Sequence, residues 1–392
     1  MPVLFLIVVV DLIGFGIIIP LLPFYAEHYQ ASPAQVGLLM AIYSAAQFIS
    51  APFWGRLSDR IGRRPVLLGT IFAASLSYIW LGFADSLIML FAARAVGGLM
   101  AGNISTAFAY AADMTTKENR AKGMGMIGAA FSIGFILGPA LGGILAGSDP
   151  ASADFRTPSF AAAGLSALAF VLGLVVLKES LPAEARAKIA EQTRVARMKA
   201  LFDALKTPGI GVLLILSFLA TFVFAGLEST FAMWSRRQFD WGPEQNGYLF
   251  AFIGFFAAMI QGGLIGRLAK KFGVERLIFA GSIALCIGLA CIPFTETVPQ
   301  LVVAMTIAAI GFSITTPALN TAISVRGEAD IQGGLMGVTR SATTLSRMTG
   351  PAVAGAAFGF IGLNTPYFSG AVVMFIVAVI AFRALIIRPE KN

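Results

Sequence analysis

The sequence predicts an all-α membrane protein with twelve transmembrane helices in two pseudo-symmetric six-helix bundles, and three observations carry that expectation. Of 392 residues, 57% are hydrophobic and only 12% are charged, where a soluble protein carries about 25% charged residues. Runs of 18 or more uncharged residues recur along the chain, each long enough to cross about 30 Å of hydrocarbon. The chain also repeats itself: P-x-Q-x-G at Pro33–Gly37 recurs at Pro243–Gly247, GRLSDRIG at 55–62 recurs as GRLAKKFG at 266–273, and GPALGG at 138–143 recurs as GPAVAG at 350–355. Landmarks in one order at a near-constant offset mark a duplication, and two such halves are a transporter architecture with its substrate site near the midplane. A soluble enzyme is excluded.

Apolar runs bounded by charges, Gly/Pro clusters and turn residues give the spans in order. Helix 1 covers 3–24; it starts without a basic n-region and has no small-residue cleavage site at leader length, so it reads as a span. Helices 2 to 6 follow at 34–54, 66–84, 87–111, 122–146 and 159–177. Helices 7 to 12 follow at 209–234, 244–265, 276–295, 299–323, 333–357 and 365–387. The domains are therefore 1–178, a polar linker at 179–207, and 208–392. In the linker, Arg186, Lys188, Arg194, Arg197 and Lys199 alternate with Ile189, Val195, Met198, Phe202 and Leu205 at helical spacing. That pattern fits either an amphipathic helix on an anionic leaflet or a solvated tether between the halves.

Charge placement sets the expected orientation. Twenty-two of the 28 Lys and Arg residues fall in the loops and C-terminal end on one side, three (Arg156, Arg236, Arg237) on the other, and three (Arg94, Arg340, Arg347) inside spans. The positive-inside rule makes the rich side cytoplasmic, with both termini there. The net charge of +8 then reports membrane topology, and no nucleic-acid partner is implied. A single histidine, His28, leaves no metal site and no histidine relay. Cys286 and Cys291, five apart in one span, give no disulfide framework. With no Gly-rich phosphate loop, neither ATP nor an ATPase partner is implied; no cofactor is expected, and the lipid bilayer is the surrounding partner of an expected monomer.

Loop 2–3 reads Gly55-Arg56-Leu57-Ser58-Asp59-Arg60-Ile61-Gly62-Arg63-Arg64-Pro65, a glycine-punctuated basic loop with one carboxylate. It resembles the G-x-L-x-D-R-x-G-R-[RK] signature of the major facilitator superfamily. Helix 5 carries Gly134-Phe135-Ile136-Leu137-Gly138-Pro139-Ala140-Leu141-Gly142-Gly143, similar to that family's antiporter motif, and helix 4 carries Arg94-Ala95-Val96-Gly97-Gly98, similar to its R-x-x-x-G pattern. Asp11-Leu12-Ile13-Gly14-Phe15-Gly16 before Pro20-Leu21-Leu22-Pro23 resembles the start of the tetracycline and multidrug exporters. The resemblance spans nearly the whole chain and implies a drug:proton antiporter driven by the proton gradient. The acidic residue that the tetracycline branch carries in helix 9 has no counterpart here, which sets tetracycline apart as a substrate.

Physical readings stand beside the resemblance. Glycines four apart (Gly134, Gly138, Gly142) permit close helix approach, and Pro139 removes a backbone hydrogen bond, so helix 5, with Gly143, is expected to act as a hinge, with helix 8 as the neighbour the family implies. Asp59 is expected to meet the start of helix 11 near Gly333 and Gly334, and Arg60 or Arg64 to reach Asp113 at the end of helix 4. With Gly55, Gly62 and Arg63 these form an expected latch between the halves.

Ionisable groups inside the membrane are the sharpest functional signal, because each costs several kcal/mol unless paired or wetted. Asp11 and Glu228 are candidate proton stations, with Arg94 beside them; the structural alternatives are an Asp11–Arg94 ion pair and a Glu228 pair with Arg236 or Arg237. Arg340 and Arg347, seven apart on one face of helix 11, either balance carboxylates or hold an anionic substrate group. Gln47, Asn103, Gln261 and Asn320, isolated in apolar spans, and Phe222, Phe231 and Trp234 on helix 7 are the remaining cavity candidates. The expected function is proton-coupled efflux of small amphipathic molecules across a bacterial inner membrane. The alternative is transport of a defined anionic or zwitterionic metabolite or lipid, and a membrane-embedded enzyme is disfavoured because the spans hold no histidine and no serine–lysine pair.

Overall fold

The computed structural model describes residues 2–116, 119–182, 209–326 and 332–387. Twelve long helices appear in the order the apolar runs require, and no strand occurs among the described residues. α1 is Pro2–Ile18, carried through a 3-10 turn at Ile19–Leu21 into Leu22–His28; α2 is Pro33–Ile61; α3 is Arg63–Gly82; α4 has two pieces, Leu87–Leu99 and Asn103–Asp113; α5 is Arg120–Ala146; and α6 is Arg156–Val176. α7 is Ile210–Phe239; α8 runs Pro243–Met259, a π turn Ile260–Leu264 and Ile265–Phe272; α9 is Val274–Cys291; α10 is Val298–Arg326; α11 is Gln332–Phe360; and α12 is Thr365–Ala381. Eleven of these are long and apolar enough to cross a membrane by composition. The twelfth, α11, matches them in length, but its stretch Thr339–Arg347 carries both arginines among Ser and Thr residues.

Local sequence explains the boundaries. α2 starts on a capping box: the Ser32 hydroxyl accepts the Gln35 backbone amide at 3.4 Å, the Gln35 side-chain Oε1 accepts the Ser32 amide at 2.8 Å, and Pro33 supplies a helical φ at the first position. Gly62 turns the chain between α2 and α3 with φ 112°, and Gly273 turns it between α8 and α9 with φ 85°. These are the final glycines of the two repeated loop motifs, so the duplication extends to a backbone conformation that favours glycine.

The chain divides into two compact units. One holds the first six helices together with Ala232–Phe252; the other holds α7 up to Phe231 and everything from Ile253. The division thus also passes through α7 and α8. The amphipathic pattern of the linker at 179–207, from residue 183 on, lies outside the described residues. In the first unit Leu4, Ile7, Val8 and Leu12 of α1 meet Leu67 and Ile71 of α3, Tyr110 and Ala111 of α4, Ile127 of α5 and Ala169 of α6 in one buried cluster. In the second unit α9 and α10 approach at Gly281, Gly288 and Gly311, where a Cβ on Gly288 would lie 2.5 Å from the Ala308 amide nitrogen.

Candidate functional site

α4 is broken at Met100–Gly102, which frees carbonyls that an unbroken helix would bond internally. Three α2 side chains at helical spacing donate to carbonyls at the break. Gln47 donates to the Ala101 carbonyl at 3.4 Å, Ser50 to Gly98 at 3.3 Å, and the Trp54 indole to Leu99 at 2.6 Å. Gln47 therefore caps a helix break, a structural duty that the isolated glutamine did not disclose. The break puts Asn103 at the first turn of the next helical piece, with its side-chain oxygen accepting the Ile104 amide at 2.9 Å.

The Asn103 amide reaches Asp11. The buried Asp11 carboxylate accepts one hydrogen bond from Asn103 Nδ2 and one from Ser166 Oγ at 2.9 Å. Ser166, on α6, was not singled out in the sequence, since one serine among alanines in a span carries no signal. The alternative Asp11–Arg94 ion pair does not form: the Arg94 guanidinium sits over the Tyr43 ring, 4.2 Å from its centroid, and its Nε has no hydrogen-bond partner among the described residues. Asp11 is thus held by neutral donors, without a cation in ion-pair range among the described residues.

At the basic-loop end the cation that reaches Asp113 is Arg63, where Arg60 or Arg64 was expected. Arg63 Nη1 lies 2.7 Å from Asp59 and 2.7 Å from Ser58 Oγ, and its Nε lies 3.0 Å from Asp113. The Gly62 turn makes Arg63 the first residue of α3 and aims it back between the ends of α2 and α4, whereas Arg60 is exposed. Arg64 instead donates to the Leu174 carbonyl at 2.8 Å. Glu179 caps α3, accepting the amides of Arg63 at 2.8 Å and Arg64 at 3.1 Å. This cluster lies wholly within the first half, and Gly55 has open space around it. The surroundings of Gly333 and Gly334 lie outside the described residues.

The glycine-rich face of α5 packs mainly on α1. A Cβ on Gly134 would lie 2.8 Å from Leu12, one on Gly138 2.5 Å from Gly16 Cα, and one on Gly142 2.5 Å from the Ile17 carbonyl. Only Gly143 faces α8, where its Cβ would lie 2.7 Å from the Pro243 carbonyl; Gly247 of α8 packs in turn on the carbonyl of Pro139. The expectation that helix 8 is the partner of the motif is therefore corrected: three glycines serve α1, and Gly143 with Pro139 serves α8. Nearby, at the end opposite the basic loops, the buried Glu27 carboxylate takes Arg236 at 3.1 Å and Arg237 at 2.9 Å. Glu27, beside the lone histidine at the end of an apolar run, was not singled out in the sequence.

Those two arginines are consequently not partners of Glu228. In the second unit Glu228 of α7 pairs with Arg347 of α11 at 3.5 Å, with side-chain exposures of 12% and 42%. Around the pair, Ser346 donates to the Phe218 carbonyl at 2.9 Å, and a Cβ on Gly350 would lie 2.5 Å from the Phe222 carbonyl, so α7 and α11 pack as closely as α1 and α5. Phe222 stacks on Phe218 with centroids 6.0 Å apart. Phe231 and Trp234 are fully buried and so form core, not the expected aromatic wall; a close stack is made instead by the half-buried Phe224 on Phe312, 3.8 Å apart and 4° from parallel. Asn320 is half-buried on α10, Arg340 is exposed on α11, and Gln261 is exposed in the π turn of α8. No cluster of metal-ligating side chains occurs among the described residues.

A family model described as Major Facilitator Superfamily matches residues 4–265 and, a second time, 262–392. The chain belongs to the major facilitator superfamily. Multidrug resistance protein 2 of Bacillus subtilis is 30% identical over 94% of this chain and 90% of its own length. The class E tetracycline resistance protein of Escherichia coli is 33% identical over 88% of this chain and 85% of its own. Among solved structures, the human organic anion transporter MFSD10 is 26% identical, with a TM-score of 0.73, covering 97% of this chain and 98% of that one. The fold is the major facilitator fold, and the protein is a multi-pass membrane transporter of that superfamily.

Proposed function

We propose that this transporter is a proton-coupled antiporter that exports amphipathic, drug-like molecules by alternating access, in a bacterial inner membrane with both termini in the cytoplasm. The observation that carries the reading is the Asp11 carboxylate, buried within the spans and held, among the described residues, only by the neutral donors Asn103 and Ser166. An unpaired charge there costs several kcal/mol, while each hydrogen bond to a charged group returns about 1.5–3 kcal/mol. The ionised and neutral forms thus lie close enough in free energy for a proton to load and leave. Both partners serve either form, because a hydroxyl donates or accepts and the Asn103 amide still finds an acceptor oxygen.

Glu228 is the second carboxylate of the scheme. A cationic substrate competes with Arg347 for it, so substrate binding and the Glu228–Arg347 pair are alternatives. Opening the end opposite the basic loops requires the Glu27 pairs with Arg236 and Arg237 to part, along with the Gly143–Gly247 contact. The relatives named for multidrug and tetracycline resistance support export, and their names are the reason that drug-like amphiphiles are the proposed substrates.

A second reading is favoured by one specific likeness: the structural relative described as an organic anion transporter agrees with Arg340 and Arg347 as anchors for an anionic or zwitterionic group. Substrate-evoked proton release from purified protein, measured over a panel of cationic, neutral and anionic amphiphiles, separates the two. Release with cations supports the antiporter; flux of anions alone, without proton release, supports the second reading and overturns the first.

A further inference from the structure

At the basic-loop end of the first half lies a cavity of about 510 Å³ lined by Ile61, Arg64, Pro65, Leu177, Lys178 and Glu179. Two of its walls are cationic. Arg64 spends one nitrogen, Nη2, on the Leu174 carbonyl at 2.8 Å, while the exposed Lys178 ammonium makes no ion pair among the described residues. The one acid, Glu179, is already engaged: its carboxylate accepts the backbone amides of Arg63, Arg64, Ser180 and Leu181 at 2.8 to 3.1 Å, which absorbs much of its field. Pro65 has no amide to offer, so an anion entering the cavity is held by side chains and not by the start of α3.

The flank of the cavity is hydrocarbon. Leu174, Val175 and Val176 end α6 with large exposed faces, Val175 at 80%, and Ile61 is exposed on the other side. An apolar skin that ends at an arginine and a lysine is the surface expected where acyl chains give way to headgroups. We propose that this cavity is a binding site for the phosphate of an anionic phospholipid, with Arg64 and Lys178 as its cationic walls and the α6 terminus as the seat of the acyl chain. The site is independent of which substrate the transporter carries.

Native mass spectrometry of the intact protein in detergent, titrated with phosphatidylglycerol, phosphatidylethanolamine or inorganic phosphate, tests the assignment. The expected result is retained phosphatidylglycerol that weakens at least fivefold in the double variant Arg64→Gln/Lys178→Gln and about twofold in Lys178→Gln alone. Lys271→Gln, a cation in the last turn of α8, should leave retention unchanged. Lys178→Gln also guards against misfolding, since that side chain makes no hydrogen bond or ion pair among the described residues. Millimolar inorganic phosphate should not displace the lipid; displacement would identify a free-anion site and overturn the proposal. Equal phosphatidylglycerol retention in wild type and Lys178→Gln, with the double variant either equal or unfolded, overturns it as well.

Discussion

Replacing Gly138 by alanine should loosen the first half by forcing α1 and α5 apart. The added methyl carbon would lie 2.5 Å from Gly16 Cα, 2.6 Å from the Gly16 carbonyl carbon and 2.9 Å from the Ile13 carbonyl oxygen. All three are backbone atoms, so no side chain can swing away. Ordinary carbon contacts lie at about 3.5–4.0 Å, so the helices must separate by roughly 1 Å, and overpacking of this kind costs about 1–3 kcal/mol. Gly128→Ala on the same helix is the matched control, because a Cβ there meets nothing within 4 Å. Both variants gain the same alanine helix propensity, about 1 kcal/mol, so their difference isolates the clash. Reversible unfolding in sodium dodecyl sulfate should place Gly138→Ala about 1–3 kcal/mol below Gly128→Ala. Equal stability of the two would refute the assignment of this motif to the α1–α5 contact.

Three further outcomes follow from the same geometry. Arg63→Gln, which strips Asp59 and Asp113 of their shared cation, should cost roughly 1–3 kcal/mol in the same assay, whereas Arg60→Gln on the exposed face should stay within about 0.5 kcal/mol. Glu27→Gln removes the charge that holds Arg236 and Arg237, so spin labels at the end opposite the basic loops should report an open population raised about tenfold; an unchanged distance distribution would mean that Glu27 is not a clamp. Glu228→Gln should weaken binding of a monovalent cationic dye by more than tenfold, about 1.4 kcal/mol, and leave a neutral substrate unaffected. Equal dye affinity would assign the pair to structure alone.

The fold was legible because hydrocarbon imposes length and composition on each span, and the duplication left matched motifs, down to Gly62 and Gly273. Contacts were less legible. The glycine spacing on α5 announces close approach but cannot say to which helix, and the choice fell on α8 where α1 takes three of the glycines. Likewise three arginines near Asp113 are equivalent on paper, and only the turn at Gly62 selects Arg63. The break in α4 has no proline to signal it; its trace is the set of donors Gln47, Ser50 and Trp54 on α2, which is visible once the freed carbonyls are known. Asp11 and Glu228 stood out as acids within spans, yet their partners did not. Asn103 and Ser166 replaced Arg94 at the first, and Arg347 replaced Arg236 and Arg237 at the second, because partner choice depends on helix rotation and not on spacing along the chain.

The central claim is that Asp11 carries the coupling proton, and gradient-driven transport in proteoliposomes by Asp11→Asn tests it most directly. A carboxamide keeps the size of the side chain and can hydrogen-bond Ser166, but it cannot exchange a proton. The account predicts that the variant still binds substrate and still equilibrates it downhill, while accumulation against a concentration gradient under an imposed pH difference is lost. Uphill accumulation at the wild-type level in Asp11→Asn would contradict it.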